Sequence, residues 1–339
     1  MDNKDLLLFK LPSNTNITKN ALEPQYSVNL DFPNFELGFQ HYLHQSRTKM
    51  YDFFDKLDQK VYNIINPFAV STPGADVSLN SILQVDKDHA NNDYYKLWEM
   101  LTLIEKPPKS VCVLYKNNPK QITNTSNTNF LLNAVNDYYK SINHKVTAKE
   151  VPSNSDLVII ANFPKYKDRI IQEQEQLPEL IENFNKYIEY LNKDGSMIIK
   201  IYETYTKTTC KVLLLLSSLF KDSYIYKPLI SKSSSSEKYL ILSGYNSDKT
   251  ILNMIDTLNK QNLKEYSKER YLVNIFPDFD VVLPEFININ TTLGNRQFEY
   301  INRMVTFIDS QNYRGHDYQE YQTIQSNNIA NWATMFIKK

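Results

Sequence analysis

The sequence predicts an α/β protein with a mostly parallel sheet and helices on both of its faces. Five short apolar runs rich in β-branched residues alternate with segments of helical periodicity, which is typical of parallel sheets. The runs are apolar at successive positions, as expected of strands buried on both faces. Only 6 glycines occur among 339 residues, and no two are close together. Glycine-rich phosphate loops and nucleophile elbows are therefore excluded, and with them ATPases, kinases, dinucleotide-binding enzymes and α/β-hydrolases.

The first third of the chain is predicted to be helical after an irregular arm. Residues 1–33 are polar and contain three prolines, which predicts the arm. From Phe35 to Ile65 apolar residues recur at intervals of three and four, which predicts a helix. A second helix is predicted over Asp93–Glu105, where two prolines end it. We assign residues 34–106 to a helical N-terminal region.

Residues 107–246 carry the alternation that defines the sheet. The predicted strands are Ser110–Tyr115, Asp156–Ala161, Ser196–Tyr202, Ser223–Tyr226 and Lys238–Ser243. The predicted helices are Asn129–Ile142, Ile170–Asn192 and Thr208–Lys221. The turn-forming residues of Asn192–Gly195 predict that the preceding helix stops before the third strand. This region is the predicted core domain.

Residues 247–339 are predicted to form a mostly helical C-terminal extension. Its pattern predicts a helix over 247–272, an irregular stretch with two prolines over 274–290, and a final pair of helices. The pair is predicted at Asn295–Gln311 and Gln319–Ile337.

Charge and cysteine content narrow the class of protein. Lys plus Arg total 38 and Asp plus Glu total 38, which argues against a polybasic nucleic-acid binder. Cys112 and Cys210 both lie in apolar runs, which predicts reduced core cysteines of an intracellular protein. No signal peptide is evident, and the longest apolar helical run, Val212–Leu216, is far shorter than the roughly 20 residues that cross a bilayer. We expect a soluble protein with no membrane partner.

Three charged residues are candidates for a site. Lys200 lies within a predicted buried strand, where a charge is costly unless it is paired. It either reaches solvent from the end of the sheet or belongs to a site at the carboxyl ends of parallel strands, where open α/β sheets bind ligands. Glu237 begins a strand and is equally compatible with an ordinary solvated position. Lys96 lies on an amphipathic helix, where a surface position is usual.

These residues lie in segments that resemble the FtsJ-like ribose 2′-O-methyltransferases of large cytoplasmic DNA viruses. Tyr94–Glu99 resembles the helix that precedes the first strand of that family, and Gly195–Lys200 resembles its glycine-led strand with the central catalytic lysine. The Lys-Pro pair and the serine-rich run within 227–241 resemble the closing segment, which carries the last catalytic glutamate. The resemblance covers most of residues 35–339 and implies a Rossmann-like methyltransferase fold.

In that family a Lys-Asp-Lys-Glu tetrad positions a ribose 2′-hydroxyl and lowers the pKa of a lysine, so that the lysine takes the proton while S-adenosylmethionine gives up its methyl group. The resemblance assigns Lys96, Lys200 and Glu237 to three tetrad positions and Asn162 to the position of the aspartate. Asn is neutral and cannot stabilise a charged lysine as a carboxylate does. We therefore expect these four positions to be non-functional.

The cofactor loop departs from the family as well. Residues 116–123 follow the first strand without a glycine, where the family has a glycine-rich turn. The positive-φ conformations of such a turn are lost, and side chains occupy the space that the cofactor needs. We expect no cofactor-binding residues, and S-adenosylmethionine enters only if the chain is active.

A second resemblance suggests a role for an inactive methyltransferase fold. Phe35–Arg47 is similar to an early helix of the small, catalytically silent subunit of poxvirus mRNA-capping enzymes. That subunit binds the guanine-N7 methyltransferase domain of the large subunit and stimulates it. The resemblance implies a regulatory subunit whose partner is the large catalytic subunit of a capping enzyme or RNA polymerase, with capped RNA as a further candidate. It implies a location in the host cytoplasm, at the virus factory, or in the virion.

Two other functions are compatible with the sequence. An active cap 2′-O-methyltransferase would use Lys96, Lys200 and Glu237 with an unconventional cofactor loop. An RNA-binding module would keep the groove near the cap without the chemistry. Its basic surface would come from lysines that a solvated face explains as well, namely Lys116, Lys120, Lys140, Lys145 and Lys149.

Aromatic and histidine pairs complete the candidates. Tyr94-Tyr95 and Tyr138-Tyr139 would stack on bases in an RNA-binding module, and helix packing explains them equally well. His41 and His44 are three residues apart on a predicted helix, with no third ligand nearby in the sequence. We expect no metal site.

Overall fold

A seven-stranded sheet forms the centre of the computed structural model. The structure describes residues 6–12, 19–30, 42–46, 48–49, 64–72, 78–114, 129–161, 171–277, 284–310 and 315–337. The strands are β1 (Leu7–Lys10), β2 (Gln25–Ser27), β3 (Ser110–Leu114), β4 (Thr147–Lys149), β5 (Ser155–Ile160), β6 (Leu191–Ile201), β7 (Phe220–Lys227), β8 (Lys238–Tyr245) and β9 (Tyr271–Asn274). Across the sheet the order is β1-β7-β8-β6-β5-β3-β4, and β2 pairs separately with β9.

The sheet is mostly parallel, as predicted. The neighbours β4, β3, β5 and β6 run in the same direction. Strand β8 is inserted antiparallel between β6 and β7, so β7 again runs parallel to β6. The edge strand β1 is antiparallel to β7.

Helices cover both faces, which confirms the predicted α/β architecture. The helices are α1 (Leu79–Leu83), α2 (Asn92–Leu101), α3 (Phe130–Ser141), α4 (Gln172–Tyr187), α5 (Lys207–Ser217), α6 (Lys249–Tyr266), α7 (Pro284–Asp309) and α8 (His316–Phe336). Successive strand residues point to opposite faces. Val158 accordingly packs in the core with α4, α5 and α6, whereas Ile159 packs in the core with α2, α3 and α8. Within the described residues no helix is long and apolar enough to cross a membrane.

The prediction of an irregular arm over residues 1–33 is wrong at two places. Leu7–Lys10 is a strand that pairs with β7, and Gln25–Ser27 is a strand that pairs with β9. Strands of four and three residues are too short to show a periodicity. Their partners lie more than two hundred residues away in the chain, so local sequence does not indicate them.

The predicted stop at Asn192–Gly195 is an irregularity inside a strand. Strand β6 begins at Leu191, and Asp194 has a φ of 61°. A Cβ on Gly195 would lie 2.7 Å from the carbonyl oxygen of Asn192 and 2.9 Å from that of Asp156. The turn-like residues therefore allow a close backbone approach and do not end an element. The preceding helix α4 also ends earlier than predicted, at Tyr187.

Several other boundaries differ from the prediction. Helix α5 ends at Ser217, because β7 already begins at Phe220. Helix α7 begins at Pro284, inside the stretch predicted to be irregular, and proline is well suited to a first helical position. Strands β4 and β9 were not predicted, since each has only three or four residues. Of the predicted helix Phe35–Ile65, only parts are described, and residues 42–46 and 48–49 are helical.

Candidate functional site

Lys96, Lys200 and Glu237 meet at one edge of the sheet. The Lys96 Nζ atom lies 2.9 Å and 3.1 Å from the two carboxylate oxygens of Glu237. The Lys200 Nζ atom lies 3.4 Å from Glu237 Oε1. The three residues that the resemblance places in the tetrad are thus brought together, and we call them the charged cluster.

The antiparallel pairing of β6 with β8 brings Lys200 and Glu237 of the charged cluster to the same edge of the sheet. Lys200 lies opposite Tyr239 near the carboxyl end of β6, and Glu237 immediately precedes β8 at the same edge. The Tyr239 hydroxyl donates a 2.7 Å hydrogen bond to Glu237 Oε1. Lys96 reaches the carboxylate from α2, whose first turn is capped by Asn91.

Asp93 extends the cluster by a second carboxylate that the sequence did not single out. The Lys96 Nζ atom donates a 2.9 Å hydrogen bond to Asp93 Oδ1. Asp93 and Lys96 are three residues apart, a spacing that puts two side chains on one face of a helix. This spacing was the only feature of the sequence that could have indicated the contact, and it is common on solvated helices as well.

The cluster is buried and its carboxylate is ionised. The side chains of Lys96, Lys200 and Glu237 are 9%, 2% and 11% exposed. Burial opposes the ionisation of Glu237, but Lys200 and Lys96 outweigh it and hold the pKa of Glu237 well below its usual range. Burial also opposes the charge on Lys96, but Asp93 and Glu237 outweigh it and raise the pKa of Lys96. The burial of both side chains therefore excludes the alternatives of a surface position for Lys96 and an ordinary solvated position for Glu237.

The residue next to Lys200 on the β5 side is Ala161. The parallel register pairs Ile159 with Ile198 and Ile160 with Ile199, and the next residues along are Ala161 and Lys200. The Ala161 amide donates to the Leu114 carbonyl, which continues the sheet pattern past β5. Ala161 is buried in the same apolar cluster as Ile159. Asn162, the position assigned to the aspartate, lies outside the described residues, as do residues 115–128.

The crevice for a cofactor would lie outside the carboxyl ends of β3 and β5. The chain passes from β3 to β4 on one side of β3 and then from β4 to β5 on its other side, and open α/β sheets bind ligands at such a switch point. The described residues there are Leu114 and Ala161, which are 7% and 4% exposed and have apolar side chains. These side chains offer no hydrogen bond to a polar methyl donor. The loops that follow these two strands, residues 115–128 and 162–170, lie outside the described residues.

The predicted tyrosine pairs are core residues. Tyr94, Tyr95, Tyr138 and Tyr139 are all buried. Their rings contact one another edge-on within each pair, and Trp98 lies between the two pairs. The suggestion that they stack on bases is wrong, because a base would need an exposed ring.

Those of the other predicted polar residues that the structure describes do not join the cluster. Lys140, Lys145 and Lys149 are exposed. Lys116, Lys120 and His41 lie outside the described residues, and His44 lies on the described helical segment 42–46. Cys112 and Cys210 are buried thiols, as expected.

Glu99 is a buried carboxylate that the sequence did not single out. Its two oxygens accept hydrogen bonds from the Tyr226 hydroxyl, the Leu229 and Ile230 amides and the Trp332 indole, at 2.7 to 3.0 Å. Burial raises the pKa of Glu99 to about 7, although these four hydrogen bonds act in the opposite direction. Glu99 therefore joins α2 to α8 and to the residues that follow β7.

The fold and the cluster define a methyltransferase-like α/β domain, and sequence comparison agrees with this. Residues 93–245 match the sequence model of the FtsJ-like methyltransferases. An uncharacterized protein of Acanthamoeba polyphaga mimivirus is 24% identical over 254 residues. That alignment covers 72% of this chain and 65% of the relative. The resemblance seen in the sequence is confirmed, and the relative comes from a large DNA virus.

Proposed function

We propose that this chain is a non-catalytic FtsJ-like subunit that binds and stimulates the cap-methylating enzyme of a viral mRNA-capping complex. The observation that carries the loss of catalysis is the neutral Asn162 at the position that the resemblance assigns to the family's aspartate. The family's proton transfer depends on a carboxylate in its tetrad, and loss of general-base assistance costs on the order of a hundredfold or more. Residues 115–128 contain no glycine for a cofactor turn, which supports the same conclusion.

The proposed partner is the large catalytic subunit of a capping enzyme, with RNA polymerase as the second choice. Support comes from the similarity of Phe35–Arg47 to the silent capping subunit of poxviruses and from the mimivirus relative. The zero formal charge suits a protein partner better than extended contact with RNA phosphates. Capped RNA is then held mainly by the partner, in the host cytoplasm or in the virion.

The charged cluster favours a second candidate function, an active cap 2′-O-methyltransferase. Replacing a buried ion pair with apolar residues is often neutral or stabilising, so stability alone does not account for Lys96, Lys200 and Glu237. In this alternative the cluster receives the ribose hydroxyl and S-adenosylmethionine is the methyl donor. The methyl donor would then be held by residues outside the described strand ends.

Titration calorimetry of the full chain with S-adenosylmethionine, followed by a methyl-transfer assay on capped RNA, separates the two functions. The proposal predicts neither heat of binding at micromolar cofactor nor ribose methylation. Micromolar binding together with methylation that Lys200→Ala abolishes would overturn it and establish the alternative.

The stimulatory role has its own test. The tagged chain is purified from its native source, and a stoichiometric partner with guanine-N7 methyltransferase activity is expected with it. Adding the purified chain, or its Lys200→Ala variant, to that partner should raise N7 methylation equally. A partner whose activity does not respond to the chain would contradict the proposed stimulation.

A further inference from the structure

The segment between β7 and β8, residues 228–237, carries Glu237 and has almost no regular structure of its own. Its short turns leave many main-chain groups to be satisfied by other parts of the protein. We call it the serine segment, after Ser231 and Ser233–Ser236. Its conformation decides where the Glu237 carboxylate lies.

Lys227 holds the far end of this segment. Its Nζ atom donates to the carbonyl oxygens of Lys232, Ser235 and Glu237 at 3.1, 2.6 and 2.8 Å. A lysine ammonium has three N–H donors, so three carbonyls use all of them. Burial lowers the pKa of Lys227, and a buried amine is tolerated because it is hydrogen-bonded in this way.

Other buried groups hold the rest of the segment. Glu99 accepts from the amides of Leu229 and Ile230 at its start. The Ser233 amide donates to Asn66 Oδ1, and the Gln297 side chain donates to the Ser234 carbonyl. The Glu99 side chain therefore binds amides at the start of the segment, and the Lys227 side chain binds carbonyls towards its end.

We infer that Lys227 is the positioning residue of the charged cluster. One of its three acceptors is the main-chain carbonyl of Glu237, the residue whose side chain contacts Lys96 and Lys200. Lys227 thus fixes the backbone of Glu237 and, through it, the carboxylate. The inference concerns the geometry of the cluster and does not depend on whether the cluster is catalytic.

The hydrogen bonds of Lys227 and the charge of Lys227 are expected to have opposite effects on the pair between Lys96 and Glu237. Lys227 attracts Glu237 and repels Lys96, so removal of the Lys227 charge alone would leave Lys96 without a competitor for the Glu237 carboxylate. Removal of the three hydrogen bonds frees the serine segment and would separate the pair. The state of the Lys96 ammonium therefore distinguishes the two effects.

The test is Lys227→Met, studied by crystallography and by the ¹⁵N-resolved ammonium signal of Lys96, which Lys96→Met identifies. We expect the distance from Lys96 Nζ to Glu237 to exceed about 4 Å, the limit of an ion pair. The protected ammonium signal should disappear. A retained pair with an unchanged signal would overturn the inference.

Lys211→Met is the matched control. Lys211 is also a buried lysine, and its Nζ atom donates to Asn274 Oδ1 at 2.8 Å and to the Phe276 carbonyl at 2.7 Å, away from the serine segment. Its substitution should lower stability while the Lys96 signal stays. Loss of that signal in Lys211→Met as well would show a general effect of destabilisation and would equally overturn the inference.

If Lys227→Met does not fold, Lys227→Gln takes its place in both measurements. The shorter amide cannot reach all three carbonyls, so the same separation is expected. A Lys96–Glu237 pair that persists in Lys227→Gln would overturn the inference.

Discussion

The two halves of one sheet edge differ in chemistry. At the ends of β6 and β8 the edge carries Lys200 and Glu237, joined by Lys96 from α2. At the ends of β3 and β5 the described residues are the apolar Leu114 and Ala161. In a group-transfer enzyme the acceptor and the donor must both be held in position. The comparison teaches that the described charges gather at the ends of β6 and β8, while the described ends of β3 and β5 are apolar.

The largest effect is expected from breaking the charged half. Glu237→Gln leaves two buried amines without their shared carboxylate, and removal of one partner of a buried pair costs about 3–5 kcal/mol. Urea unfolding measures this change. The control is Asp256→Asn, since Asp256 pairs with Lys260 on the surface and should contribute less than about 1 kcal/mol. Similar losses of unfolding free energy in both variants would mean that the charged cluster contributes no more than a solvated ion pair.

A second effect concerns pH, because Glu99 and Glu237 have pKa values shifted in opposite directions. The pKa of Glu99 is raised to about 7 by burial, from an ordinary value of 4.5. Its stabilising contribution is therefore complete below pH 4.5 and is lost as the pH rises towards 7, by up to about 3 kcal/mol. Glu99→Gln should remove this slope from the free energy of unfolding.

Glu237 provides the opposite slope. Its pKa is lowered from 4.5, so its contribution is present above pH 4.5 and is lost as the pH falls below that value. Glu237→Gln should reduce the loss of unfolding free energy below pH 4.5, and it should leave the change between pH 4.5 and 7 as it is. An unchanged acidic limb in Glu237→Gln, or an unchanged neutral slope in Glu99→Gln, would contradict the two assignments.

The smallest effect on stability is expected from substitutions of Ala161, which lies where the apolar and the charged halves of the sheet edge meet. Ala161→Asp puts a carboxylate beside Lys200, and Ala161→Asn puts an amide of nearly the same shape there. Both overpack a buried position, but the Asp variant should regain about 0.5–3 kcal/mol through coupling to Lys200. A double-mutant cycle with Lys200→Met at neutral pH measures this coupling. Zero coupling would show that Ala161 and Lys200 are not neighbours.

The sequence was informative where an element is long or a residue type is out of place. The central strands, such as Asp156–Ala161, are continuous apolar runs. Strands β3 and β5 were predicted within one residue at each end, whereas β6 begins five residues before its predicted start. Lys200 drew attention because a lysine is rare in such a run. Its partners Lys96 and Glu237 came from the family resemblance, because each alone looks like an ordinary surface residue.

What the sequence did not indicate depends on contacts between distant residues. Glu99, Asp93 and Lys227 have side chains that are common on solvated surfaces, and only the tertiary fold buries them. The strands β1 and β2 are similarly defined by partners far along the chain. Local pattern cannot identify such elements, since their stability comes from pairing and not from periodicity.

The position of α8 has a practical consequence for anyone who produces fragments of this protein. The family match ends at residue 245, yet Trp332 lies in the same apolar cluster as Leu97 and donates to Glu99. A fragment cut at the family boundary would open this cluster to water and leave a carboxylate facing a void. Biochemical work on the domain therefore requires the chain to be expressed through Phe336.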